Sequence, residues 1–564
     1  MRKTAFILAF LSVFFSTKVK GQQLQLIIEG ENSIENRIID ALGYTTYHSD
    51  YEGLHSEIKT FQDQLYSIGY IENRRDSISR INDSLYQTKI QLKTQYHTIS
   101  IYYPKNKIET STLTSVSQEV HDDYFVLNLQ DVEEALAFIN SKLVDKGAPF
   151  SKLRLSNISI QDSGHLKAHI IITAESQKRY LDHIIIKGYE RFPKSYLKHY
   201  LKIKPNKTFS LKAIQKKTEQ LNSLAFAHEI KPPEVLFSKD STTLYMYIEK
   251  SASNGFDGFL GFGTNEDSNT LEFDGYVNLS LVNNLNYGER FGLQYKSDQS
   301  QQKNFKVDLS LPYLFGSPIG VDLELNIFKK DSSYTTTHQA VNLNYQLNPK
   351  HKVAAGIFSV SSNTLLTETS TAAIADYKSV FLKLSYQYTV PQQQHLLFPV
   401  HHFVYAEAGT GERKTTTHPE KQFQWTLNTF KIFNLNAKNS VFVKLNAASM
   451  ASDTYFENEL LRFGGINSIR GFEENSILAS LYGVLNVEYR LQLSNTIYIH
   501  SITDLASFEN VLTDAKEKLY GYGLGFGILT RSGLLKFNYA NGKSEHTPFK
   551  LSNSKIHISL VARF

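Results

Sequence analysis

The sequence predicts small α/β units in tandem, followed by a sixteen-stranded antiparallel transmembrane β-barrel. Three observations lead there. Ahead of residue 253 the order strand, helix, helix, strand, strand recurs with a period of roughly 75 residues, the mark of a repeated supersecondary unit. From Gly255 onward the helical period gives way to two-residue alternation in segments of about ten residues, broken by turn-rich loops. The composition agrees: 36 Phe, 33 Tyr and 30 Gly against 3 Met and a single Trp suit a barrel wall better than a helical enzyme.

Composition also excludes several classes. The chain has 564 residues, a formal charge of +5 and a mean hydropathy of −0.30. No internal stretch reaches the roughly 18 apolar residues of a membrane helix. The positive charge is spread thinly, which argues against nucleic acid as a partner. With no cysteine there is no disulfide, no lipoprotein anchor and no thiolate metal site. Met1-Arg2-Lys3 followed by the apolar run Ala5–Phe15 reads as a signal peptide over residues 1–21, cut after Gly21. His48, His55, His165, His169, His183, His199 and His228 form no metal-ligand spacing on one element. No Ser, His and Asp set, nucleotide loop or cofactor motif stands out, so no catalytic residue, metal or cofactor is expected.

The first unit, 22–105, begins with strand Gln25–Ile28, continues with helical spacing over Ile34–Leu42 and Leu54–Ile68, and closes with strands over Ser77–Leu85 and Lys89–Tyr103. Gly69 ends its second helix. The second, 106–176, begins at Val126–Leu129 and carries helix Val132–Val144 and strands Leu153–Gln161 and Leu166–Thr173. In the third, 177–252, strand Leu181–Gly188 precedes helices Ser195–Leu201 and Leu211–Leu221 and strands Val235–Phe237 and Thr243–Glu249. This order resembles the POTRA domains of outer-membrane assembly proteins. The resemblance implies periplasmic units whose sheet edges accept an extended client strand by main-chain pairing.

The barrel spans 253–564, its sixteen segments running from Gly255–Thr264 to Lys555–Phe564. An even number lets every strand run antiparallel and leaves no open edge in lipid. Two faces are legible in the segment Leu481–Leu493: Leu481, Leu485, Val487, Tyr489, Leu491 and Leu493 oppose Tyr482, Asn486, Glu488, Arg490 and Gln492. The apolar set faces lipid, because a charge at the bilayer midplane costs roughly 2–4 kcal/mol. The first strand carries Gly255, Gly258, Gly261 and Gly263, and glycine weakens a strand. At the seam with the last strand it is the pair that opens most easily. The chain ends on Phe564, which resembles the C-terminal recognition signal of bacterial outer-membrane proteins.

The long connection 451–480 contains Gly464, Gly465, Arg470, Gly471 and Phe472. Here the sequence resembles the superfamily of BamA, TamA and the two-partner secretion transporters. In that family this loop folds back into the barrel and its arginine meets an acid on the wall. The resemblance assigns Asp504 as that acid, with Glu488 beside it on the inner face of the adjacent strand. Ala506 stands where the family commonly has glycine, a local departure. Three units and one barrel look closest to the TamA-like members. The resemblance further implies a place in the bacterial outer membrane, a lateral gate at the glycine-rich seam, unfolded outer-membrane or secreted clients, and a periplasm-spanning TamB-like partner. The function implied is assembly, insertion or translocation of other proteins. The alternative is a two-partner secretion transporter with one dedicated substrate; a passive porin or a barrel enzyme fits less.

Overall fold

The computed structural model describes residues 23–162, 164–173, 178–264, 271–297, 302–365, 374–392, 395–415, 418–530, 533–545, 550–551 and 554–562. The signal-peptide reading over 1–21 and the terminal Phe564 lie outside them. The chain divides into two compact bodies, one of Met1–Tyr180 with Thr208–Leu211, the other of the remainder.

The first body holds two small sheets. Helices Ser33–Leu42 and Tyr51–Ser67 start where Asn32 and Asp50 cap them; Asn32 Oδ1 accepts from the Ile34 and Glu35 amides, and Asp50 Oδ1 from Gly53. Leu54, Ile58, Phe61 and Leu65 recur on one face of the second helix and are buried against the sheet. Strand Leu24–Glu29 pairs in parallel with Leu85–Gln91.

The second sheet opens one strand earlier than the sequence indicated. Thr98–Tyr102 pairs in parallel with His165–Thr173, which pairs antiparallel with the edge strand Lys152–Asp162. Thr98–Tyr102 therefore starts the second unit rather than closing the first, against a boundary at 105. Tyr124–Asn128, read as the opening strand, is an added one on the outer side of Thr98–Tyr102. The apolar run at 98–103 is ambiguous locally. Only its pairing with residues more than 60 positions away assigns it.

The second body contains the third small sheet and the barrel. His183–Gly188 pairs in parallel with Thr242–Lys250, and Ala227–Phe237 flanks the latter. The expected helix over Ser195–Leu201 is a single π-helical turn, Tyr196–Tyr200. Leu211–Thr218 is the regular helix, extended by a 3-10 turn, Glu219–Ser223.

The barrel sheet has sixteen strands in sequence order, each hydrogen-bonded antiparallel to the next. Its first strand is Gly255–Thr264 and its last Ser554–Ala562; Leu481–Gln492 is the twelfth, Ile497–Asn510 the thirteenth, Ala515–Thr530 the fourteenth and Gly533–Ser544 the fifteenth. Alternation sets the faces as expected. Leu481, Tyr489 and Leu493 are exposed on the outside, while Tyr482, Asn486, Glu488 and Arg490 are buried inside. Among the described residues no ladder joins the first strand to the last, although the two approach within 8 Å.

Candidate functional site

The connection after the eleventh strand, Asn439–Ala451, turns inward instead of standing out in solvent. Leu461–Phe463 and Ile477–Ala479 form a short antiparallel ladder, leaving 464–476 as the tip. The tip needs its glycines. Gly464, Gly465 and Gly471 all have positive φ, at 119°, 92° and 91°, where a side chain is strained. A Cβ on Gly465 would also sit 2.1 Å from Glu474 Oε2.

Arg470 is the centre of the tip. Its Nε and backbone N–H donate to Asp504 Oδ2 at 2.8 and 2.9 Å, and its Nη2 donates to Asp504 Oδ1 at 2.6 Å. Nη1 donates to Glu488 Oε1 at 2.5 Å. Asp504 is 0 % exposed, and Arg470 and Glu488 are buried with it. This two-pronged grip is the strong form of arginine–carboxylate contact. The structure thus brings together Arg470, Asp504 and Glu488 from the loop, the thirteenth strand and the twelfth strand.

Charge balance requires a fourth member, which the sequence placed on the inner face without tying it to the loop. Arg490 donates to Glu488 Oε2 through Nε at 2.8 Å, and its guanidinium lies over the Phe442 ring at 3.9 Å. Glu488 therefore bridges two arginines. The ladder between the twelfth and thirteenth strands lapses at Glu488 and Tyr489, where Ser501 Oγ accepts from the Tyr489 N–H at 3.0 Å. Lys444 and Asn486 hold the carbonyls of Asn467 and Ser468, so the backbone ahead of Arg470 is pinned as well.

Two wall glycines make the close approach possible. A Cβ on Gly521 would meet Arg470 O at 2.4 Å, and one on Gly542 would meet Gly471 O at 2.5 Å. Backbone of the tip thus lies directly on backbone of the fourteenth and fifteenth strands. Ala506 packs in one buried apolar cluster with Phe463, Ile469, Tyr482, Val484, Phe508 and Leu519, and Phe472 flanks it. The departure from glycine at 506 is absorbed there as a methyl contact. At the last strand Lys555 Nζ meets Glu473 Oε1 at 3.0 Å.

The stem of the loop grips the opposite wall through residues the sequence reading passed over. Arg413, on the ninth strand Val400–Lys414, forms ion pairs with Glu459 of the loop and Glu420 of the tenth strand Pro419–Asn434. Phe456 lies under its guanidinium, 4.3 Å from the ring centre. Asn458 Nδ2 donates to Ser362 Oγ and Ala375 O at 2.9 and 2.8 Å. Lys330 meets Glu457 at 3.2 Å, and Arg462 reaches Tyr334. The connection spans the barrel lumen from the fifth strand, Ile319–Lys330, to the last.

The sequence-predicted gate glycines, Gly255, Gly258, Gly261 and Gly263, all lie in the first strand, which pairs with Leu271–Val282 along its full length. Among the described residues no group of His, Cys, Asp or Glu could hold a metal.

Residues 283–560 match the Omp85 superfamily domain, and residues 179–250 match the POTRA family described as a surface antigen variable number repeat. The chain belongs to the Omp85 superfamily. It is an outer-membrane protein with its POTRA end in the periplasm. Solved structures agree in fold. BamA from Haemophilus ducreyi lacking POTRA domains 1–3 is 15% identical, with TM-score 0.50 over 82% of this chain and 99% of that one. CdiB from Acinetobacter baumannii is 15% identical, with TM-score 0.52 over 91% and 97%. CdiB from Escherichia coli is 15% identical, with TM-score 0.52 over 90% and 98%. A sequence comparison with curated proteins finds no match. Omp85 proteins form a transport and assembly family, and this chain shares their barrel.

Proposed function

We propose that this chain assembles, inserts or translocates other proteins at the outer membrane, acting without covalent chemistry. The observation that carries the reading is the inward loop. Its Arg470 latch closes on the wall between the twelfth and fifteenth strands, next to a seam at which no ladder is formed among the described residues. A gate there fits the glycines of the first strand, which offer little packing to resist opening.

Client capture has a second support. Lys152–Asp162 is an edge strand, and its Ile158 and Ile160 side chains are exposed. An unpaired strand edge is a template for an added strand. The TamA-like reading brings with it a periplasm-spanning TamB-like partner, which co-purification would detect.

Two experiments test the proposal. Because the chain has no native cysteine, a cysteine pair placed across the first and last strands gives a single disulfide. Oxidation should stop client insertion and reduction should restore it; undiminished insertion in the oxidised form removes the gate. Depletion followed by outer-membrane proteomics reads the client range. Loss of several barrel proteins fits an insertase, whereas loss of one secreted protein alone makes the chain a dedicated transporter. An unchanged membrane proteome with altered solute permeability leaves only a pore.

A further inference from the structure

The third small unit meets the periplasmic turns of the barrel through side chains. Tyr196 OH donates to Gly288 O at 3.2 Å, after the second strand. His199 Nε2 bonds Gly316 O at 2.9 Å, after the fourth, and its ring stacks on Tyr313. Lys202 Nζ donates to Leu347 O at 2.8 Å, at the end of the sixth strand, Tyr334–Asn348. The segment Tyr196–Lys202 is therefore held against the barrel at three points, two in turns and one at a strand end.

This docking gathers Lys198, Lys202, Lys204 and Lys207 around one cleft of about 200 Å³. No carboxylate is among the described residues that line it, and the four lysines form no ion pair among those residues. Lys217 feels the same field. Burial first, and then the Lys202 and Lys207 ammoniums, hold it below the usual lysine range. Four cations gathered without counter-ions repel one another, and an anion would relieve that.

The position of the cleft says which anion. Its wall includes Tyr345, which pairs across the ladder with Ile319. Both side chains point outward from the barrel, with Leu343 and Val341 continuing the exposed apolar row along the same strand. Phe315, on the adjoining turn, is 97 % exposed. A barrel carries aromatic residues at the membrane interface, so the cleft lies where lipid headgroups begin. We propose that it binds the phosphate of an anionic phospholipid of the inner leaflet, whose acyl chains run along Tyr345, Leu343 and Val341. A lipid in this cleft would fasten the third unit to the barrel at the membrane surface. A free phosphate would use the lysines but leave the apolar row uncovered. A zwitterionic lipid would bring its own cation against them.

The test uses the full-length protein in detergent and native mass spectrometry with added phosphatidylglycerol or phosphatidylcholine of identical chains. Wild type should retain phosphatidylglycerol in preference. K198Q/K204Q/K207Q leaves the Lys202 bond in place and should weaken retention by roughly a hundredfold, each lysine near an anionic surface contributing about a factor of five. K198R/K204R/K207R should retain the lipid, which separates lost charge from a damaged fold. Equal retention of the two lipids by wild type would overturn the proposal. So would undiminished retention by the glutamine variant, or loss in the arginine variant. Displacement of phosphatidylglycerol by equimolar inorganic phosphate would make this a free-anion site and overturn the lipid assignment.

Discussion

The inward loop is held at its two ends by buried arginines, and the ends are built in opposite senses. At the tip the loop supplies the cation, Arg470, and the wall supplies Asp504 and Glu488. At the stem the wall supplies the cation, Arg413, and the loop supplies Glu459. The difference lies in what remains when the arginine is removed. Among the described residues the Asp504 carboxylate receives all of its hydrogen bonds from Arg470. Glu420 also accepts from Ser452 Oγ, Thr454 Oγ1 and the Thr454 amide. Glu459 accepts from Gln422 and the Phe456 amide as well. The stem is a network with reserves, whereas the tip concentrates on one side chain.

The largest effect should therefore come from the tip. Arg470→Ala leaves a wholly buried carboxylate with one backbone donor, and breaking a buried pair from one side commonly costs about 3–5 kcal/mol. Loss of the heat-modifiable folded band, or a lower unfolding midpoint in urea, measures this, and client insertion should fail with it. Asp504→Ala should match it, and the double variant should be no worse than either single one. Additive losses would mean that the two residues act separately. The stem should come second. Arg413→Ala is expected to destabilise the same transition by less, because both carboxylates keep other donors. If Arg413→Ala proved the worse of the two, the ranking by reserve donors would be wrong.

A third effect is steric. Gly542→Ala places a methyl 2.5 Å from Gly471 O and 2.9 Å from Phe472, and Gly521→Ala places one 2.4 Å from Arg470 O. In both cases backbone must move. Overpacking of this kind typically costs about 1–3 kcal/mol. A cysteine introduced at Ser468, buried in wild type, should become accessible to a thiol reagent in these variants.

The two ends also differ in how far they could be read from the sequence. The tip was legible because Gly464, Gly465, Arg470, Gly471 and Phe472 resemble the family's inward-folding loop, whereas the apolar setting of Arg470 alone left open whether it is solvated or held by an acid. The resemblance then assigned Asp504 as its acid, and two-residue alternation put Glu488 on the inner face. The stem carries no such local mark. Arg413 ends a strand amid polar residues, and Glu459 lies 46 positions away. Gly521 and Gly542 were equally silent, since a strand glycine that receives another backbone reads like one that merely weakens a strand. The barrel was visible strand by strand, because each strand pairs with its neighbour in sequence. The start of the second small sheet was not, because its defining partner is remote. Pro193 and Pro205 bracket the segment read as a helix at 195–201, and the chain between them settles as one turn against the barrel.

The smallest effect tests whether the tip is also held from the seam side. Lys555 on the last strand pairs with Glu473, but the two side chains are exposed. Exposed pairs contribute about 0–1 kcal/mol and are screened by salt. Lys555→Gln should therefore leave the unfolding midpoint nearly unchanged. Its interest lies in the gate. If the last strand moves away when a client enters, the Lys555–Glu473 contact must break, and removing it should speed insertion slightly at low ionic strength and not at high. A change in rate independent of salt would separate this contact from gating. A large loss of stability would mean that the seam side bears more of the loop than its geometry indicates.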